Sequence, residues 1–399
     1  MEQSRESDKE LKKLYDYILI MLMFIYGFQV PIISYYISLF LFLPPLFLIF
    51  YIKFNSQFAI NILLLLTFLL LYYQIQLSFN EYFINIDDLF INYYHPVAII
   101  LSFYFIGYKL SNQKDNLIII ILPILGLLLY TIFTVVNSFQ EYGLRMLITR
   151  ENSSIWTGES TVATILGMYL SIGCSFTSII FSAKKRLNKL IVFSIAIVSI
   201  FCSYLLQTRS PIYAAILSFL ISFIYYFVRL DGYQKLKMSI KVSMISVFSI
   251  ASLLSVRLIN IDNLMFYLGR LSGKNIGTGT DTPFYYTPRY KLWIETIDKI
   301  WDYPFGGSRI SFFPELFAHN LWLDIANVSG YIVMVILLIF QLTHLPNIFY
   351  NIFKKDRFFI YFPILFSFFV SSMVEPLLIA SPMFLGFFIF YISMLSYND

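Results

Sequence analysis

Residues 117–136 read LIIIILPILGLLLYTIFTVV, an uninterrupted apolar run without a single charge. Wound as a helix rising 1.5 Å per residue, a stretch of this length spans roughly 30 Å, the thickness of a bilayer's hydrocarbon core. Comparable runs recur along the whole chain, which is 59% hydrophobic and only 13% charged, with mean hydropathy +0.74. Soluble domains carry about 25% charged residues. Membrane barrels show alternating strands of about 10 residues, and these continuous runs exclude that architecture. The sequence therefore predicts an all-α polytopic membrane protein, a single integral membrane domain over residues 1–399.

Twelve spans are expected, at 15–30, 33–52, 57–77, 92–109, 117–136, 161–182, 190–206, 211–228, 239–256, 320–342, 359–374 and 377–396. Most of the 28 Lys and Arg fall in short connectors on one side, including Lys53, Lys114, Lys184, Lys185, Arg186, Arg229, Lys354 and Arg357. The positive-inside rule makes that side cytoplasmic and puts both termini there. All four tryptophans, Trp156, Trp293, Trp301 and Trp322, fall on the opposite side, as do the longer loops 137–160 and 258–319. No small-residue cleavage pattern follows the first apolar run, so no cleavable leader is expected. The net charge of +5 is spread in small clusters, which argues for membrane orientation and against nucleic-acid binding. Cys174 and Cys202 lie inside apolar runs, so no disulfide framework is expected.

The segment Leu258 to His319 breaks this pattern. It holds Gly269, Gly273, Gly277, Gly279, Gly306 and Gly307 and a balanced set of charges. A polar loop of about 60 residues in such a chain is the expected seat of function. Within it, Thr287-Pro288-Arg289 reads as a helix start, with Thr as cap and Pro at the first position. The helix is expected to run to Asp302 with Trp293, Ile297, Ile300 and Trp301 on one apolar face, lying on the membrane surface.

Three outward-facing helix starts carry candidate site residues. Arg289 sits in a first turn, where the helix dipole disfavours a cation unless an anion is bound; the alternative is a surface Arg paired with lipid phosphate or a carboxylate. Gln207-Thr208-Arg209-Ser210-Pro211 is a tight turn in which Ser210 caps the next span, leaving Arg209 at headgroup depth; a snorkelling Arg is the plainer reading. His319-Asn320 opens the return to the membrane, with Asn320 as N-cap and Asp324 suited to the dipole. Two guanidiniums and an imidazole fit an anionic headgroup such as a diphosphate, and His319 adds a proton acceptor near neutral pH. Arg145, Arg150 and Trp156 extend the basic outer surface. No P-loop, GxGxxG or HExxH occurs, so neither nucleotide cofactor nor metal is implied. Asp87-Asp88 reads as a solvated loop rather than a Mg²⁺ site.

Thr208-Arg209-Ser210, Arg289 with Trp293, Pro304-Phe305-Gly306-Gly307, and His319-Asn320 followed by Gly330 resemble, in order and side, the O-antigen ligase/polymerase superfamily. The resemblance covers roughly residues 200–335. It implies a GT-C-like membrane fold and glycosyl transfer from undecaprenyl-diphosphate-linked oligosaccharide on the periplasmic face of the bacterial inner membrane, without cofactor, alongside a possible chain-length regulator protein. It further implies His319, Arg289 and Arg209 as catalytic and Arg150, Arg145, Asn320 and Trp293 as substrate-binding. His319 would activate the acceptor hydroxyl or contact phosphate. Ligases carry a small or polar residue three positions past the Gly, where this chain has Val333; that departure favours a polymerase of repeat units. The alternatives are a ligase acting on lipid A-core, a lipid-linked oligosaccharide flippase, and a metal-dependent transferase using Asp87 and Asp88. Charges concentrated outside rather than at span centres weigh against a transporter.

Overall fold

The computed structural model describes residues 2–29, 55–79, 93–143, 146, 152–182, 186–234, 288–306, 318–354, 357–375 and 377–397. Among them the chain is helical apart from turns and one isolated bridge, Ser153 with Ser160. The helices are α1 (Glu2–Gly27), α2 (Ser56–Phe79), α3 (His95–Lys109), α4 (Leu117–Tyr142), α5 (Ala163–Ser175), α6 (Arg186–Leu205), α7 (Ser210–Val228), α8 (Pro288–Lys299), α9 (Leu321–Ser329), α10 (Tyr331–Ile352), α11 (Phe358–Val374), α12 (Leu377–Ala380) and α13 (Pro382–Ser396). Among the described residues, six stretches are long and apolar enough to cross a membrane: Ser56–Ser78, Leu117–Tyr142, Ala163–Phe181, Leu187–Leu205, Ser210–Val228 and Tyr331–Ile352. The chain is thus a helical, multi-pass membrane protein. The expected spans at 33–52 and 239–256, and Asp87-Asp88, lie outside the described residues.

Two expected spans take a different form. The run at 320–342 is broken at Gly330, whose φ of 92° and ψ of 164° end the short α9, so that the membrane-crossing helix is Tyr331–Ile352. The run at 377–396 is likewise interrupted: Ser381 leaves the helix and its Oγ accepts the Phe384 N–H, starting α13 anew. In both cases a residue with its own local hydrogen-bonding or backbone preference overrides a continuous apolar pattern.

The helices pack around buried aromatic and aliphatic side chains, among them Phe103, Tyr104, Phe340, Phe368, Phe384 and Phe387. Several polar groups inside are paired across helices, which offsets the cost of burying them. Ser367 donates to the Ser171 carbonyl at 3.0 Å and Ser371 meets Ser171 at 3.3 Å, stitching α5 to α11. His344 is fully buried: Nδ1 donates to the Phe340 carbonyl at 2.7 Å, leaving Nε2 to accept from Asn61 and Tyr104. Cys174 and Cys202 are buried and unbonded to each other.

The contacts sort the bundle into two ends. At one, Lys114 Nζ reaches the Tyr397 carbonyl at 3.0 Å, Arg357 makes a two-pronged pair with Asp115 at 2.6 and 2.7 Å, and Gln113 bonds Asp16 in the middle of α1. Asp16 of α1 and Tyr397, which follows α13, therefore lie at the same end of the bundle. At the other end lie Trp156 against Phe28, Trp301 against Tyr331, Trp293 against Ala318, and Trp322 at the start of α9. Tyr225 of α7 stacks on Phe358 at the start of α11, with centroids 3.8 Å apart, so these helices run antiparallel. The start of α7, with Arg209, consequently shares the tryptophan end with the terminus of α11.

Candidate functional site

At the tryptophan end, the chain re-enters the bundle through a turn built by its own sequence. Asn320 is the N-cap of α9: its Oδ1 accepts the N–H groups of Trp322 and Leu323 at 3.2 Å each. Asp324 closes the reciprocal half, Oδ2 accepting the Asn320 N–H at 2.9 Å. This is a capping box with Asp in place of the usual Glu, formed one residue further into the helix. The Asn320 amide nitrogen also reaches the Met373 carbonyl at 3.4 Å, tying the turn to the last turn of α11. The expected cap is thus present, and its side chain is occupied in positioning the turn.

His319 precedes the cap in the left-handed region, at φ 54°. Three non-glycine residues adopt positive φ among those described: Gln29, Gln207 and His319. One is the candidate residue His319 itself, and Gln207 lies two residues before the candidate Arg209. Such conformations cost on the order of 1 kcal/mol and concentrate where surrounding structure holds a functional group in place.

The His319 ring faces a partner that the sequence reading overlooked. Its Nδ1 lies 3.6 Å from Oε2 of Glu375, the residue that ends α11. Glu375 is buried, whereas the His319 side chain is 29% exposed with Nδ1 sealed from solvent. At this distance the contact is an ion pair in reach rather than a formed hydrogen bond. The ring's exposed portion is accordingly away from the carboxylate. The Glu375 signal was available: a lone acid in a turn between two apolar runs, on the side that carries His319.

Asp324 is the second carboxyl at the turn. Burial pushes it up to about 6, partly offset by the N–H groups of Asn320, Ala318 and His319 and by the charge of His319. Its Oδ1 is buried without a hydrogen-bond partner.

The α8 helix braces the turn from outside. The Trp293 indole N–H donates to the Ala318 carbonyl at 2.5 Å, directly before His319. Beyond α8, a 3₁₀ turn over Ile300–Asp302 leads to Pro304-Phe305-Gly306, which meets the α9–α10 break. Pro304 accepts the Ile332 N–H at 3.3 Å. A Cβ on Gly330 would fall against Pro304 O and 2.5 Å from the Gly306 nitrogen, so only glycine permits this approach. Gly306 and Gly330, two of the glycines in the resemblance, therefore form one backbone clasp.

The expected single apolar face of α8 is split. Leu292, Thr296 and Ile300 are buried and Trp293 is half-buried, while Ile294, Ile297 and Trp301 are exposed. The cause is angular: residues 293 and 301 already differ by about 80° on an α-helix, and the 3₁₀ turn, at about 120° per residue, widens the gap.

Arg209 occupies the cap position of α7, so the helix starts one residue earlier than a Ser210 cap would give, with Ser210 first and Pro211 second. Arg209 makes no capping hydrogen bond through its side chain. Arg289 lies in the first turn of α8, its backbone placed by Pro288 at the helix start. Arg145 and Arg150 lie outside the described residues. The structure thus brings together His319, Asn320 and Trp293, adds Glu375 and Asp324, and sets Arg209 at the same end of the bundle. No family model matches the chain, and neither curated proteins nor solved structures give a match.

Proposed function

We propose that the chain is a surface-polysaccharide polymerase. It would join undecaprenyl-diphosphate-linked oligosaccharide repeat units at the periplasmic face of a bacterial inner membrane, with about twelve spans, a GT-C-like arrangement and both termini cytoplasmic. The observation that carries the reading is His319. It is held on a left-handed turn with one nitrogen against buried Glu375 and the rest of the ring partly open, at the end of the bundle where α7 begins with Arg209.

In this reading His319 takes the proton of the acceptor hydroxyl through Nε2, and Glu375 stabilises the resulting imidazolium. The acceptor oxygen bonds to the anomeric carbon of the donor as the bond from that carbon to the diphosphate oxygen breaks. Direct displacement inverts the anomeric configuration. Arg209 and Arg289 bind the diphosphate and stabilise the charge developing on it. The donor carries its own leaving group, so no nucleotide enters the reaction. Asn320 and Trp293 hold the turn in place.

The test is reconstitution of the full chain in vesicles with a purified undecaprenyl-diphosphate repeat unit. A ladder of polymers should form without nucleotide and without lipid A-core. His319→Ala and Arg289→Ala should each abolish it at unchanged protein level. Normal ladders from both variants would sink the assignment, and transfer appearing only when lipid A-core is supplied would make the protein a ligase.

A further inference from the structure

We infer that the exposed row Ile294, Ile297, Trp301 and Phe305 is a membrane-docking surface. Its occupant is the headgroup–acyl boundary of the leaflet at the tryptophan end. The inference stands apart from the glycosyl-transfer reading, since it concerns what covers α8 and not what the site does.

The row is apolar and open to its surroundings; Trp301 alone is 68% exposed. Its neighbourhood decides the occupant. The Trp301 ring lies 5.5 Å from that of Tyr331, the first residue of the membrane-crossing Tyr331–Ile352. Along that helix Val335, Ile339 and Leu342 are exposed at helical spacing, the stripe such a span turns to lipid. The α8 row thus continues this lipid-facing stripe at its upper end, where the hydrocarbon gives way to headgroups. Exposed Lys291, Asp298 and Asp302 lie around the helix from the row, toward water. Buried Leu292, Thr296 and Ile300 make the third side, facing the protein. A helix with one protein side, one apolar exposed side and one charged side fits a position in the interface plane, and Trp favours that depth.

The seat has a consequence for the turn beside it. The same helix holds Ala318 through Trp293, so the leaflet surface sets the height of His319. A reacting group at headgroup level meets the phosphates of lipid-linked molecules without their leaving the membrane.

The experiment places nitroxide labels on the full chain in nanodiscs of phosphatidylethanolamine and phosphatidylglycerol. The variants are Ile297→Cys, Trp301→Cys and Asp298→Cys; the wild-type chain, whose two cysteines are buried, is the unlabelled control. Relaxation by oxygen, which partitions into the bilayer, is compared with relaxation by a water-soluble nickel chelate. The oxygen-to-nickel ratio should be several-fold higher at 297 and 301 than at 298. Equal nickel access at all three positions would overturn the inference. So would exclusion of both agents at 297 and 301, which would mean that a second copy or another segment covers the row. Should Trp301→Cys fail to fold, Ile297→Cys decides alone.

Discussion

Replacing Gly330 by alanine tests the clasp that joins α8 to the start of α10. Gly330 has φ 92° and ψ 164°, a region essentially reserved for glycine, and forcing a side chain there costs about 1–3 kcal/mol. The new Cβ would also meet backbone atoms, Pro304 O and the Gly306 nitrogen 2.5 Å away, which no side-chain rotation relieves. Overpacking of that kind adds about 1–3 kcal/mol, for a total of roughly 2–6 kcal/mol. Two other glycines separate the terms. Gly143 has φ 57° but nothing within 4 Å of a built Cβ, so Gly143→Ala should cost the strain alone, about 1–3 kcal/mol. Gly232 has neither a positive φ nor a neighbour, so Gly232→Ala should stay within about 0.5 kcal/mol of wild type. Equilibrium unfolding of the three variants in the same detergent gives the order directly. Because Gly330 also anchors α9, its variant should lose polymer formation more completely than Gly143→Ala. A Gly330→Ala protein no less stable than Gly143→Ala would refute the clasp.

Glu375→Gln should lower kcat by roughly a hundredfold with little change in KM. The reason is that the carboxylate stabilises the charge that His319 gains only as it takes the acceptor proton. Full activity would remove Glu375 from the reaction. Asp324→Asn should change how melting temperature depends on pH. The Asp324 carboxyl titrates at 3.8 in an open chain and at about 6 when folded. It therefore supports the fold fully below about pH 4, and this support, about 3 kcal/mol, is lost as the pH rises through about 6. The melting advantage of wild type over Asp324→Asn should shrink across that window; a constant difference would contradict the assignment. Asn320→Ala should cost about 1 kcal/mol by freeing the N–H groups of Trp322 and Leu323, and Asn320→Ser should restore most of it. Equal stability of the two would show that the cap does not hold the turn.

The membrane class was legible because apolar run length is a direct demand of the bilayer on a helix. The Asn320 cap was legible for a similar reason: an Asn before an apolar run, followed by an acid, satisfies the first N–H groups through local geometry alone. The break at Gly330 was not. A glycine inside an apolar run reads as a tolerated residue, and what removes it from the helix is contact with Pro304 and Gly306, more than twenty residues earlier. Glu375 escaped notice because its partner is distant in sequence and the turn that carries it looked like a mere connector. The division of α8 into three sides was hidden by its 3₁₀ ending, which shifts the angular phase that a uniform helical pattern assumes. Arg209 and Arg289 were placed by proline at helix starts, a rule that needs only neighbouring residues.

The clasp between Gly306 and Gly330 also separates the length of the intervening chain from the position of what it joins. With both ends of that stretch fixed by backbone contact, doubling a flexible insertion within it adds only about 0.6 kcal/mol of closure cost. Its contents can therefore diversify, lengthening or changing chemistry, without displacing the end of α8 from the start of α10. Variation in the chain between the two glycines and constancy in how the end of α8 meets α10 can then be selected independently.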